Sequence, residues 1–113
     1  MTSKLLKKLI TCIPSKVRIT KDVSYEIVFI DNFNNESKSV ILGECRFETK
    51  QMVINLNQSN TDILRTVIHE ITHAISMENE IGLTENHVLK LDDGIFKFLK
   101  LNGVFTFIGK EIK

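Results

Sequence analysis

Two histidines and a glutamate share one five-residue stretch, His69-Glu70-Ile71-Thr72-His73. On an α-helix, residues i and i+4 stand on one face with Cβ atoms about 5–6 Å apart. Two imidazoles so placed can converge on one Zn²⁺, at Zn–N distances of roughly 2.0–2.1 Å. Glu70 is displaced round the helix from that pair and can act as general base on a water held by the ion. The cation lowers the pKa of such a water from 15.7 towards about 7. These residue types at this spacing point to metal-assisted hydrolysis. The bland alternative is two surface histidines that happen to lie four apart. The helical setting and the apolar stripe beside the motif favour the metal site.

A catalytic zinc site takes three protein ligands and keeps one position open. Two candidates for the third ligand follow, Glu85 and His87, with eleven and thirteen residues between them and His73. His87 has ligand chemistry in its favour, and all three histidines of the chain fall between 69 and 87. Glu85 is also an acid in the first turn of a helix, which the macrodipole favours with or without metal. Ser76 and Asn79 stand where the longer HExxHxxGxxH pattern needs Gly and His, so that pattern is absent. The residues leave Glu85 and His87 both open.

The elements that must position these groups are legible in the periodicity. From Lys16 to Leu56 the pattern has period two or short β-branched runs: Val17 and Ile19, then Tyr25, Ile27 and Phe29, then Val40–Leu42 after a polar Asn32–Ser39 loop, then Phe47 and Met52–Leu56. Residues 43–54 predict a hairpin turning around Thr49–Gln51, with Gly43 marking a bulge or a close backbone approach. After Leu56 the period becomes helical. Ser59, Asn60 or Thr61 can cap a helix whose apolar stripe is Leu64, Val67, Ile68, Ile71 and Ile75. Thr84 can cap a second, with Val88, Leu91, Ile95, Phe98 and Leu99 inward and Asn102-Gly103 as its stop. Val104–Ile108 reads as a last strand. Strands followed by helices predict an α+β domain.

The chain has 113 residues, 42% hydrophobic and 26% charged, with a net charge of +1. That excludes collagen-like and disordered classes, and no apolar run approaches the ~18 residues of a membrane span. No repeat or linker divides the chain, so one domain over 16–113 is expected, preceded by a basic amphipathic segment, 1–15. Residues 1–21 carry Lys4, Lys7, Lys8, Lys16, Arg18 and Lys21 and no acid, leaving nine basic against fourteen acidic residues elsewhere. A basic arm can attract nucleic acid, but no aromatic interleaving or recognised motif accompanies it, so a solvated helix face is expected. Leu5, Leu6, Leu9 and Ile13 make that helix amphipathic, and Pro14 stops it. Lys7 and Lys8 interrupt the apolar stretch, which is too short for a signal peptide. Cys12 and Cys45 lack a CxxC partner, so reduced thiols and a cytoplasmic location are expected.

The run His69-Glu70-Ile71-Thr72-His73-Ala74-Ile75, then Ile81-Gly82-Leu83, then Glu85-x-x-Val88-x-x-Leu91 resembles the small phage- and prophage-encoded zincins, similar to the peptidase part of ImmA/IrrE-type proteins. The upstream hairpin leading into the HExxH helix is also similar, and the likeness spans about residues 16–102. It implies a minimal zincin-like fold, a small antiparallel or mixed sheet packed on the HExxH helix and a following ligand-bearing helix. It also implies Glu85 as third ligand. Asp92 stands where such helices usually carry a small residue, and segment 1–15 has no counterpart.

The expected activity is that of a zinc-dependent metallopeptidase with Glu70 as general base, on a peptide or protein substrate paired as an added strand along Gln51–Leu56. Neither Tyr25, expected in the core, nor Arg65, one turn before His69, is assigned to the oxyanion. Two alternatives belong to other classes: a zincin-fold binding module without turnover, and a phage accessory protein that binds nucleic acid through its basic arm.

Overall fold

Among the described residues, four strands are followed by two long helices. This computed structural model describes Lys8, residues 10–31 and residues 42–105. The strands are β1 (Lys16–Arg18), β2 (Ser24–Ile30), β3 (Gly43–Arg46) and β4 (Gln51–Asn55), and the helices are α1 (Asn60–Glu78) and α2 (Glu85–Leu101). The expected α+β class holds.

The sheet is mixed, in the order β1-β2-β4-β3. β1 is antiparallel to β2, and β3 antiparallel to β4, while β2 and β4 run parallel with Ile27 opposite Met52 and Phe29 opposite Ile54. This register puts Tyr25, Ile27, Met52 and Ile54 on one face, where they pack with Ile63, Val67 and Ala74 of α1. A second cluster joins Leu64 of α1, Phe96 of α2 and Phe105. Ile10 and Ile13 pack against both clusters. No described helix is long and apolar enough to cross a membrane.

The β3–β4 hairpin turns where the sequence predicts it, with Arg46 opposite Gln51. Lys50 closes it in a left-handed conformation, φ 56°, which a non-glycine residue adopts only when its surroundings compensate. They do: the Lys50 carbonyl accepts from the Glu26 amide at 2.9 Å, and its ammonium pairs with Glu78 at 2.6 Å.

Four expectations are corrected. The strand Gln51–Leu56 is not a sheet edge: β4 lies between β2 and β3, its backbone groups engaged on both sides, and it ends at Asn55. The inward face of α2 is Val88, Asp92 and Phe96, whereas Leu91, Ile95 and Phe98 are exposed. Ile75 of α1 is also exposed, and Ile63, Glu70 and Ala74 share the buried face instead. Val104 and Phe105 are helical rather than extended. The expected readings at Leu5, Leu6 and Leu9, in the Asn32–Ser39 loop, at Val40 and Ile41, and at 106–108 lie outside the described residues.

Candidate metal centre

α1 starts at Ser59, whose hydroxyl accepts from the Asp62 amide at 3.1 Å, and runs without a break through the HExxH stretch. Its helical spacing brings the two imidazoles edge to face, with ring centroids 4.8 Å apart and Nε2 atoms 3.2 Å apart. Two nitrogens on one tetrahedral ion at 2.0–2.1 Å would stand roughly 3.3–3.4 Å apart. The pair already has the separation that a shared cation requires.

Glu85 completes the group. One carboxylate oxygen lies 2.8 Å from Nε2 of His69 and the other 2.6 Å from Nε2 of His73. The connection between helices delivers it there. Glu80 and Gly82 take left-handed conformations, φ 56° and 75°, and Ser76 fastens the loop between them. The Ser76 carbonyl accepts from the Ile81 amide and its hydroxyl from the Leu83 amide, both at 2.9 Å. Thr84 then caps α2, placing Glu85 at its first turn beside the histidines.

His87, the alternative third ligand, does not join the group. Its amide donates to the Thr84 hydroxyl at 3.1 Å, and its Nδ1 accepts from the Thr84 amide at 3.5 Å. It fills the place that Glu or Gln takes in a capping box. Its position two residues from Glu85 is a consequence of ending the connection at Thr84.

One residue, noted in the sequence only as a departure from the resembling pattern, takes a place at the site that its sequence reading did not assign. Asp92, two helical turns beyond Glu85 on the same side of α2, is buried and pairs with Nδ1 of His69. A carboxylate in that position accepts a hydrogen bond from the Nδ1–H, which fixes the tautomer and leaves the Nε2 lone pair facing the centre. The available signal was an acid at the i+4 position between Val88 and Phe96, on what proves to be the buried stripe.

Glu70 lies on the sheet side of the same turn, 5% exposed. Burial pushes its carboxyl up to about 7; His69 opposes the rise, while the carboxylates of Glu85, Glu44 and Asp92 add to it. Glycine at residue 43 lets α1 lie close against β3, with Thr66 and the Glu70 carboxylate nearest to it. A Cβ there would stand 3.1 Å from a Glu70 carboxylate oxygen and 2.5 Å from Cγ2 of Thr66. The close approach expected at Gly43 is therefore present. Gly43, Glu70, His69 and Glu85 face one open cleft of about 340 Å³, also lined by Leu42, Arg65 and Leu89. A carboxyl that titrates near neutrality in a cleft is suited to proton transfer.

The other groups considered are otherwise engaged. Tyr25 is fully buried, and its hydroxyl donates to Glu78 at 2.7 Å. Arg65 bridges to Asp93 of α2 at 2.6 Å and lies over the Phe96 ring. Cys45 is a free thiol that burial pushes up to about 12, so it is protonated and unreactive at neutral pH. Among the described residues, His69, His73 and Glu85 form the group able to hold a metal ion.

No family model matches the chain, and neither curated proteins nor solved structures show a significant match to it.

Proposed function

We propose that the protein is a zinc-dependent metallopeptidase with a minimal zincin-like fold, similar to the small phage and prophage zincins. The single observation that carries this reading is the meeting of two imidazole Nε2 atoms and the Glu85 carboxylate beside a buried Glu70, at an open cleft. The donor set would be two imidazole nitrogens and one carboxylate, the composition of a catalytic rather than a closed structural zinc site. When bound there, Zn²⁺ supplies charge that acidifies water and polarises a carbonyl.

The chain's own residues do the rest. His69, His73 and Glu85 would hold the ion, and Asp92 orients His69. Glu70 takes a proton from the attacking water as its oxygen bonds to the peptide carbonyl carbon. It then gives that proton to the departing nitrogen as the C–N bond breaks. An extended peptide would pair with β3, the outer strand of the described sheet, whose first residue lines the cleft. This replaces the expectation that β4 offers the pairing edge. A cytoplasmic site of action fits the reduced cysteines and belongs to the same proposal.

The test is metal analysis together with peptide hydrolysis. Wild type and Glu70→Gln are expected to bind one zinc each. Glu85→Ala is expected to lose most of it, and His87→Ala to keep it. Hydrolysis of an unstructured protein should fall at least ~100-fold in Glu70→Gln. Full hydrolysis by that variant, or zinc lost only in His87→Ala, would overturn the assignment.

A further inference from the structure

Besides the cleft on the Glu70 side, a second hollow of about 290 Å³ opens on the far side of His73. Its walls are Met77 on α1 and Leu83 on the connection, with Gly82 and Ser76 between them. It is predominantly apolar, although it adjoins a metal ligand. It is also prebuilt: two hydrogen bonds to Ser76 hold the Ile81 and Leu83 amides, and left-handed residues at 80 and 82 set the curvature of the rim. Met77, 48% exposed, has no core to fill, so its contribution here is to the wall.

We infer that this hollow is a specificity subsite, which takes one apolar side chain of the peptide flanking the bond to be cut, and that Met77 and Leu83 select it. The inference rests on the peptidase reading, because His73 is common to the metal centre and the hollow. A peptide held at the centre would have this hollow beside it, on the His73 side. The size suits a single side chain, since 290 Å³ falls just below the range of pockets that enclose whole small molecules. The wall chemistry suits an aliphatic or thioether group: apart from the ligand His73 and the exposed Glu80, no ionisable side chain lines it. Discrimination between side chains differing by a few methylenes in such a hollow is of order 10–200-fold.

The test uses the zinc-loaded full chain and two amino-acid hydroxamates, which seat a chelating group on the ion and differ only in side chain. By calorimetric titration, leucine hydroxamate is expected to bind at least ~10-fold more tightly than glycine hydroxamate. Met77→Lys and Leu83→Lys are each expected to bring the two affinities together while zinc stoichiometry stays at wild type. Equal affinities in wild type, no hydroxamate binding to the zinc-loaded protein, or a preference that survives in both variants would overturn the subsite. A chain that shows the preference yet cleaves no peptide upholds the subsite and overturns the peptidase. A chain that binds no zinc overturns both.

Discussion

His69 is held from both ends: Nδ1 pairs with Asp92 of α2 while Nε2 faces His73 and Glu85. The ring cannot rotate about its own axis without breaking one set of contacts. Its ligand nitrogen is therefore aimed before any ion arrives. Asp92→Ala should weaken zinc binding by about 10–100-fold, read by competition with a chromophoric chelator. Asp92→Asn keeps the shape but presents a weaker partner to Nδ1, and should fall between wild type and alanine.

Glu70 gives the metal-free protein a pH dependence whose sign is fixed. Burial raises its folded pKa from 4.5 to about 7. Between those values the folded state keeps a proton that the unfolded chain releases, so stability falls as pH rises. Its stabilising share is complete below pH ~4.5 and lost once pH passes ~7. Glu70→Gln mimics the protonated form. With chelator present, it should unfold at a higher temperature than wild type at pH 8 and at about the same temperature at pH 5. Parallel curves across that range would contradict the burial-driven shift.

Gly43 is a packing requirement on β3. The Cβ of Gly43→Ala would meet Cγ2 of Thr66 at 2.5 Å, with Glu70 close behind. Overpacking of this kind costs about 1–3 kcal/mol, measurable by urea unfolding. Thr66→Ser removes that methyl. The double variant should recover a large part of the loss, whereas additive losses would place the strain elsewhere.

Tyr25, Lys50 and Glu78 fasten the sheet to the last turn of α1. The Tyr25 hydroxyl and the Lys50 ammonium both donate to one Glu78 oxygen, at 2.7 and 2.6 Å. Those donors hold the Glu78 carboxyl below its usual range, and burial pushes the Tyr25 hydroxyl up from its own. Tyr25→Phe removes one donor from a carboxylate that keeps the other, and should cost about 1 kcal/mol. Little change in the unfolding midpoint would mean that water replaces the hydroxyl without penalty.

What could be read from the sequence was whatever local geometry determines. Helical spacing alone places His69 beside His73, a cap residue alone starts each helix, and the hairpin about Lys50 follows from its flanking strands. What depended on tertiary pairing was hidden. Leu91, Ile95 and Phe98 form the more apolar stripe of α2, yet the stripe carrying Asp92 is inside. Burial of Val88 and Phe96, with the pairing of Asp92 to His69, sets the rotation of that helix. Strand order was hidden for the same reason: the composition of β4 suits an edge or a centre equally, and its parallel pairing with β2 is a long-range choice. The choice between Glu85 and His87 was open in the ligand count. The structure separates them through Thr84, which turns one residue toward the imidazoles and occupies the other in its cap.

The link from His73 to Glu85 is eleven residues long, and Ser76 already anchors it. An ion held at its two ends would join the start of α2 to the HExxH turn of α1. Because the folded chain gathers the ligands and the unfolded one does not, the occupant braces the helix pair by its binding free energy, and relief of charge adds to it. The carboxylates of Glu85 and Asp92 add to the rise at buried Glu70, and a cation among them would oppose it. Occupancy and folding are thus linked, and acid and metal compete for the same donor atoms, so each should blunt the stabilising effect of the other.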